Sequence, residues 1–191
     1  DIERLTDAIA KGLDRTELQQ QLGAGAARNA LDCAFWDLEA KSTKTRVASM
    51  IGLDKLQPVV TAYTLSLDTP EQMGKAACQQ AGRPLFKLKL DGRDDLDRVQ
   101  AVRANASQAT IIVDANESWS PATVEPLSRA LRELDVALIE QPLPAAKDAP
   151  LAEMERPIPI CADESCHLAA DVGRLQGKYD AVNIKLDKSG G

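Results

Sequence analysis

An ionisable residue lies at or near the end of five successive short apolar segments in the second half of the chain, and this regular spacing limits the possible folds most. The intervals between successive positions are 25, 26, 23 and 22 residues. The five positions are Lys89, Asp114, Glu140, Asp163 and Lys185. Such an interval is typical of one strand followed by one helix. Because active sites of parallel α/β folds lie at the carboxyl ends of the strands, the spacing predicts a shared ionisable edge.

The segments between these positions alternate between two patterns. We predict short apolar strands over residues 59–67, 85–90, 111–113, 137–139, 157–162 and 181–186. Helical patterns cover residues 94–106 and 169–175, and two more helices begin at Thr69-Pro70 and Ser120-Pro121, where a capping residue precedes proline. Strands alternating with helices predict an α/β fold with a parallel sheet.

The chain before about Asp54 has a different, helical pattern and no hydrophobic strand. Apolar residues at spacings of three and four define one helix face. That face comprises Ala27, Ala30, Leu31, Ala34, Phe35 and Leu38. Asp37 and Lys41 add a favourable i,i+4 ion pair. We therefore predict two domains, a helical one over residues 1–56 and a strand-and-helix one over residues 57–191.

Composition excludes several classes of partner. The formal net charge is −6 and the chain has no basic cluster, which argues against a nucleic-acid interface. Aromatic residues make up 3%, too few for platforms that stack on bases. No apolar run approaches the roughly 18 residues of a membrane span. Four cysteines among 191 residues favour a reduced, cytoplasmic protein over a disulfide scaffold.

The second predicted strand shows a strict alternation. Phe86, Leu88 and Leu90 alternate with Lys87 and Lys89. Since successive strand residues point to opposite faces, the apolar residues would pack under helices and both lysines would face a barrel interior or its mouth. The alternative is a solvent-exposed face with two ordinary lysines. Strands of parallel sheets are usually covered on both faces, which favours the first interpretation.

Three carboxylates end three successive predicted strands, in Val-Asp-Ala-Asn, Ile-Glu-Gln-Pro and Ala-Asp-Glu-Ser. They are Asp114, Glu140 and Asp163. Oxygen ligands without His or Cys suit a hard cation such as Mg²⁺. A helix N-cap is the simpler interpretation of any one of them, but the shared position of all three favours a metal site.

Cys161, Cys166 and His167 lie close together in the sequence and raise the alternative of a zinc site. Zinc sites need a second pair of ligands at matching spacing, and His167 is the one histidine of the chain. We interpret these residues as packing residues around a strand end.

In an eight-stranded barrel the second and sixth strands are opposite each other, so Lys89 and Lys185 would face each other across the mouth. Two bases on opposite faces of a bound carbon can invert it, because one removes a proton and the other returns one. Removing a proton beside a carboxylate gives an enediolate, whose charge a divalent cation stabilises. A lysine base must have its pKa lowered from about 10.4 toward about 7–8, and nearby cations do this.

Five motifs, in this order, resemble the muconate-lactonizing subgroup of the enolase superfamily and, within it, the L-Ala-D/L-Glu dipeptide epimerases. They are Phe86-Lys87-Leu88-Lys89 and the segments 113–119, 140–144, 161–167 and 183–191. The resemblance covers nearly the whole chain. It implies a partial TIM-type (β/α) barrel of about six of eight strands, preceded by the helical end of an α+β capping domain. A complete barrel needs about 250 residues, so we expect the 191 residues to be part of a longer enzyme.

The resemblance also implies roles for individual residues. Lys89 and Lys185 would be the two acid/base residues. Lys87 would contact the substrate carboxylate and help to lower the pKa of Lys89, and Thr64 matches a substrate-contacting position. The implied Mg²⁺ ligands are Asp114, Glu140 and Asp163.

The implied activity is Mg²⁺-dependent epimerisation of an Ala-Glu-type dipeptide by a two-base 1,1-proton transfer, in bacterial murein peptide recycling. Relatives of this kind often self-associate, so a homo-oligomer is a candidate assembly. Muconate cycloisomerase, o-succinylbenzoate synthase and N-acylamino-acid racemase activities remain alternatives for the same site. Further alternatives are an inactive fragment and a plain α/β scaffold, although the spacing of the five ionisable residues argues against the scaffold. Residues that select the dipeptide, on an eighth strand and an early capping-domain loop, lie outside this sequence.

Overall fold

A computed structural model describes residues 2–53 and 55–191, which form two compact units. The helical unit contains the described residues up to Val59 together with residues 167–169 and 184–191. The sheet unit contains residues 60–166 and 170–183. The two units interleave along the chain, and the domain boundary between residues 56 and 57 stays a prediction.

Six parallel strands form one sheet in chain order. They are β1 (Tyr63–Leu65), β2 (Leu85–Lys89), β3 (Thr110–Asp114), β4 (Val136–Glu140), β5 (Ile160–Ala162) and β6 (Ala181–Val182). A parallel sheet in this order, with a helical connection between successive strands, is the arrangement of a (β/α) barrel. The predicted fold class, about six strands of such a barrel, is confirmed.

The helices also follow the predicted alternation. They are α1 (Thr6–Ala10), α2 (Arg15–Gln21), α3 (Ala26–Thr43), α4 (Val47–Met50), α5 (Pro70–Gln79), α6 (Asp95–Asn105), α7 (Pro121–Glu133), α8 (Val172–Leu175) and α9 (Leu186–Ser189). The helix predicted over residues 169–175 is divided into a 3₁₀ turn, Ala169–Asp171, and α8. Proline begins α5 and α7, as predicted, after the capping residues Thr69 and Ser120.

The predicted first and sixth strands are longer than the observed ones. β1 pairs over three residues, and β6 over two, and each has one neighbouring strand in the described sheet. Val59 and Ile184, within the predicted strands, are 84% and 80% exposed. A strand needs a hydrogen-bonded neighbour along its length, and an apolar run alone does not provide one. The end of the predicted sixth strand, at Leu186, begins α9 instead.

Burial along β2 follows the alternation in the sequence. Phe86 and Leu88 are fully buried, and the side chains of Lys87 and Lys89 are 18% and 34% exposed. Neither lysine therefore lies on an ordinary solvent face, which excludes that alternative. The apolar residues join the core between the sheet and its helices, with Met73, Val99, Val102, Ile111, Val113, Val124, Leu131, Ile139 and Ile160.

The helical unit has a smaller core of its own. Its buried residues are Leu5, Leu13, Leu18 and Leu22. Leu31 and Phe35 of α3 pack against this cluster, but Leu38, at the end of the predicted apolar face, is 62% exposed. The leucine cluster therefore covers only part of this face of the 18-residue helix. The guanidinium of Arg28 donates to the carbonyls of Gly190 and Ser189 and so ties α3 to α9.

In the part of the chain that the structure describes, no helix has both the length and the apolar character needed to cross a bilayer. The four cysteines, all within the described residues, form no disulfide.

Candidate active site

The ionisable ends of β2, β3 and β4 lie side by side on one face of the sheet. Lys89 is in register with Asp114, and Asp114 is in register with Glu140. Lys87 lies two residues before Lys89 and is in register with Thr64 of β1. Because the strand pleat returns to the same face every second residue, all of these side chains share that face.

The ammonium group of Lys87 bridges two buried carboxylates. Its Nζ atom lies 3.0 Å from Asp114 Oδ2 and 2.6 Å from Glu140 Oε2. Lys89 Nζ lies 2.7 Å from the same Asp114 oxygen. The side chains of Asp114 and Glu140 are 1% and 5% exposed. Charges buried to this extent need partners, and the two lysines provide them here.

These ion pairs determine the charge states at the strand ends. Burial favours a lower pKa for Lys87, but its hydrogen bonds to Glu140 and Asp114 outweigh burial and raise the pKa above its ordinary value of 10.5. Burial favours a higher pKa for Asp114, but hydrogen bonds from Lys89 and Lys87 outweigh it and lower the pKa below 3.8. At neutral pH Lys87 is therefore a cation and Asp114 an anion.

Asp163 lies two residues beyond the position of its own strand that pairs with Glu140. Glu140 is in register with Cys161, and Asp163 follows two residues later, after β5 has ended at Ala162. Two strand residues correspond to a rise of about 6.6 Å. Within residues 2–53 and 55–191, no three carboxylate, imidazole or thiol side chains form a group that could hold a metal ion. The role of Asp163 as a third ligand stays a prediction.

Negative charge nevertheless accumulates around Asp163. Glu164 Oε2 is buried and has no hydrogen-bond partner among the described residues. Burial, and the charges of Asp163 and Glu117, raise the pKa of Glu164. An electronegative edge whose donors are oxygens, with one buried oxygen unpartnered, fits a hard divalent cation.

The zinc alternative is disfavoured by the state of Cys161. Burial, with the nearby charges of Glu140 and Asp163, raises the pKa of this thiol to about 12. Zinc binds the thiolate, and in the metal-free protein this environment favours the protonated thiol.

Two further predicted site residues lie on other elements. Lys185 is the N-cap residue of α9 and belongs to the helical unit. Thr64 is exposed on β1. Their roles as second base and as substrate contact stay predictions.

The structure adds an orienting partner for each of two carboxylates. Asn183 Nδ2 donates to Glu140 Oε1 at 2.9 Å, a contact that the sequence reasoning missed although Asn183 lies within the predicted sixth strand, two residues before Lys185. The backbone N–H of Asn116 donates to Asp114 Oδ1 at 3.1 Å. The backbone N–H of Asn116, rather than its side chain, thus orients Asp114.

Left-handed backbone conformations concentrate beside these carboxylates. Asn116, Glu117 and Gln141 have φ angles of 47°, 61° and 37°. For residues other than glycine this region is disfavoured, at a cost on the order of 1 kcal/mol or more for each residue. Such conformations persist where surrounding contacts determine them, and they cluster at functional sites.

A buried polar network lies behind the ends of β4 and β5. Asp148 Oδ1 accepts a hydrogen bond from Lys178 Nζ at 2.6 Å. Its Oδ2 accepts from Ser165 Oγ at 2.8 Å and from the Tyr179 hydroxyl at 2.9 Å. Burial favours a higher pKa for Asp148, but these hydrogen bonds, that from Lys178 foremost, outweigh it and lower the pKa below 3.8. The network stabilises the fold in the ionised state of Asp148.

We expect Asp148→Asn to lower the free energy of unfolding at pH 7 by about 2–3 kcal/mol, because Lys178 loses its charged partner. Since the pKa of Asp148 is lowered by folding, its contribution is complete above the ordinary value of 3.8 and is lost as the pH falls through the folded-state pKa. Urea unfolding at pH 7 and near pH 3 measures this. Glu71→Gln, which removes an exposed ion pair with Lys75, should leave stability essentially unchanged. A difference between Asp148→Asn and the wild type that does not shrink in acid would contradict the assignment.

A parallel sheet in chain order, with lysines and carboxylates at its carboxyl edge, defines a (β/α)-barrel domain of the kind that carries active sites at that edge. The chain belongs to the enolase superfamily. Residues 71–191 match the enolase C-terminal domain-like family, and residues 5–52 match the N-terminal domain of mandelate racemase and muconate lactonizing enzyme. The resemblance found in the sequence is confirmed.

Two curated relatives are similar to almost the whole chain. It is 49% identical over 185 residues to an L-Ala-D/L-Glu epimerase of Escherichia coli (strain K12). It is 47% identical over 184 residues to an N-acetyl-D-glutamate racemase of a Pseudoalteromonas species. Each match covers 96% of this chain and 58% of the relative. The chain therefore spans less than two thirds of the length of these relatives.

Solved structures of dipeptide epimerases and of their homologues have the same fold. An enolase family member from Agrobacterium tumefaciens with homology to dipeptide epimerases, solved with sodium and L-Ala-L-Glu, has a TM-score of 0.96 and 53% identity; the match covers 100% of this chain and 59% of that one. A dipeptide epimerase from Cytophaga hutchinsonii, solved with Mg and D-Ala-L-Val, has a TM-score of 0.83 and 29% identity. That match covers 93% of this chain and 51% of the other.

Proposed function

We propose that the protein carrying this sequence is an Mg²⁺-dependent epimerase of an L-Ala-D/L-Glu-type dipeptide, acting by two-base 1,1-proton transfer. The observation that carries the proposal is the ion-pair cluster, in which Lys87 and Lys89 meet buried carboxylates at the carboxyl ends of adjacent strands. A role in recycling murein peptides in the bacterial cytoplasm is part of the proposal, as is a dipeptide as the small-molecule partner.

The names of the two curated relatives suggest a common substrate class. An Ala-Glu dipeptide and N-acetylglutamate both contain a glutamate with an acylated α-nitrogen and a free α-carboxylate. They differ in the acyl group, because alanyl carries an ammonium group and a side-chain methyl group on its α-carbon and acetyl has neither. We therefore propose an N-acylated glutamate as the substrate class, with the dipeptide as the first candidate.

The lysines would do the proton chemistry. Lys89 would remove the α-proton from one epimer, and Lys185 would return a proton to the opposite face. Lys87, which is cationic at neutral pH, would bind the substrate carboxylate. Thr64, which is in register with Lys87, would make a further substrate contact.

Asp114, Glu140 and Asp163 are the residues that would hold Mg²⁺. When bound, the ion would stabilise negative charge on the substrate carboxylate as that charge develops. Asp114 Oδ2 and Glu140 Oε2 are the oxygens that accept from Lys87, so Lys87 and a cation would compete for them.

A second candidate function is the racemisation of an N-acylamino acid. The similarity to an N-acetyl-D-glutamate racemase, at 47% identity, favours it specifically. The same lysines and carboxylates would serve this reaction, since the reacting carbon is again the glutamate α-carbon.

Proton NMR in D₂O with L-Ala-L-Glu and N-acetyl-L-glutamate tests both functions. With Mg²⁺ we expect the glutamate α-proton of L-Ala-L-Glu to exchange and L-Ala-D-Glu to form, with loss on chelation by EDTA and recovery on adding Mg²⁺. Faster turnover of N-acetyl-L-glutamate than of the dipeptide would establish the second function instead. Exchange with neither compound would overturn the proposed substrate class.

A further inference from the structure

We propose that Gln141 is a positioning residue that clamps the ends of β4 and β5 together and so sets the placement of Glu140 relative to Asp163. This inference rests on the proposed function, because these are two of the residues assigned there to the cation. Gln141 directly follows Glu140 and is fully buried. Its side chain holds backbone groups of the neighbouring loop, and it has no assigned contact with substrate.

The carbonyl side of the Gln141 amide holds the loop after β5. Oε1 accepts a hydrogen bond from the backbone N–H of Asp163 at 2.8 Å and another from that of Ser165 at 3.1 Å. An amide oxygen has two lone pairs, and both are used. One buried side chain thus connects the end of β4 directly to the backbone of Asp163.

The amino side of the same amide fixes its orientation. Nε2 donates to the Leu143 carbonyl at 2.8 Å and lies 2.9 Å from both Ser165 Oγ and the Tyr179 hydroxyl. A flipped amide would place its oxygen against the Leu143 carbonyl and its NH₂ group against two N–H donors. The orientation is therefore determined by the contacts.

The backbone of Gln141 joins a third strand end to the clamp. Its N–H donates to the Cys161 carbonyl at 2.9 Å, and its carbonyl accepts from the Glu117 N–H at 2.8 Å. Both Gln141 and Glu117 are in left-handed conformations, which persist only where contacts determine them. Contacts from β3, β4 and β5 thus meet at Gln141.

The clamp explains how Asp163 can be held near Glu140 although the two residues are not paired in the sheet. Glu140 is aligned with Cys161, so the sheet hydrogen bonds themselves do not place Asp163 beside Glu140. The hydrogen bonds that Gln141 Oε1 accepts from the backbone N–H groups of residues 163 and 165 provide that connection. Partners behind metal ligands typically change metal affinity 10- to 100-fold when removed.

Two variants and one control test the clamp. Gln141→Met keeps the length of the side chain but has no accepting oxygen or donating nitrogen. Gln141→Asn keeps an amide that is one methylene shorter and cannot span to both N–H groups. Val124→Ala is the control, since Val124 is buried in the core on α7 and its truncation destabilises the sheet unit without changing the clamp.

Mg²⁺ titration by calorimetry and amide hydrogen exchange in metal-free protein are the two measurements. Both Gln141 variants should bind Mg²⁺ at least 10-fold more weakly and exchange the amides of residues 163 and 165 at least 10-fold faster than their loss of global stability accounts for. Val124→Ala should keep the wild-type Mg²⁺ affinity and accelerate exchange only by the factor that its loss of stability accounts for. If Gln141→Met does not fold, Gln141→Asn decides.

The clamp would be overturned if a folded Gln141 variant bound Mg²⁺ with the wild-type affinity. It would also be overturned if the amides of residues 163 and 165 in that variant were as protected from exchange as in the wild type. If the wild type itself binds no Mg²⁺, the proposed function fails. In that case the role of Gln141 in placing Glu140 for a cation fails with it, even if the amides exchange faster. Weaker dipeptide turnover with unchanged Mg²⁺ affinity and protection would likewise count against the clamp and leave the proposed function intact.

Discussion

Replacing Lys89 with methionine is expected to slow the epimerisation of L-Ala-L-Glu by about 100- to 10,000-fold, the range in which a positioned acid/base residue contributes. Methionine keeps the unbranched apolar stem and removes the amine that would carry the proton. The side chain lies at the edge of the sheet and is 34% exposed, so the fold does not depend on burying it. Steady-state turnover, followed by the optical rotation of the dipeptide, measures the effect.

Lys75→Met is the matched control for this variant. Lys75 is exposed on α5 and pairs with Glu71 at the surface, far from any strand end in the sequence. The same chemical change there should leave turnover within a factor of two. If Lys89→Met kept more than a tenth of the wild-type rate, Lys89 would not be an essential base.

Replacing Asp114 with asparagine is expected to weaken Mg²⁺ binding by more than about 100-fold, beyond the effect typical of residues that only support a ligand. Asp114 Oδ2 accepts from both Lys87 and Lys89, and its side chain is 1% exposed. The amide lacks the negative charge that holds both ammonium groups and a cation. Because Asp114 helps to raise the pKa of Lys87, that pKa should also fall in the variant.

Calorimetric titration with Mg²⁺ measures the first effect, and NMR titration of the lysine side chains measures the second. Asp97→Asn, an identical change at an exposed position in the first turn of α6, serves as the control and should preserve affinity. Equal Mg²⁺ affinity in Asp114→Asn and the wild type would remove Asp114 from the ligand set.

The sequence predicted the sheet and singled out all four residues of the ion-pair cluster for simple physical reasons. The interval of 22 to 26 residues reflects the length of one βα unit, which fixes strand order once helices intervene. The alternation in β2 places Lys87 and Lys89 on one face because a strand has a period of two. The pairing of Lys89 with Asp114, and of Asp114 with Glu140, places the two carboxylates beside these lysines.

The remaining features depend on contacts that a one-dimensional pattern does not contain. The spacing assigned Asp163 to a strand end, and β5 ends at Ala162 as predicted, but Glu140 pairs with Cys161, so Asp163 lies beyond the register of Glu140. Gln141 was visible within the Glu-Gln-Pro motif and received no role, because four of its five side-chain hydrogen-bond contacts come from segments more than 20 residues away. A polar residue between a strand-end carboxylate and a proline is the signal that would have identified it.

Deuterium exchange into each epimer separately is the most direct test of the two-base mechanism. L-Ala-L-Glu and L-Ala-D-Glu would be incubated in D₂O with the wild type, Lys89→Met and Lys185→Met. Each lysine is proposed to reach the α-proton of one epimer, so each variant should retain exchange of one epimer, lose exchange of the other, and fail to interconvert them. The two variants should differ in which epimer they exchange. If both variants exchanged both epimers, or both lost exchange of the same epimer, the two-base mechanism would be wrong.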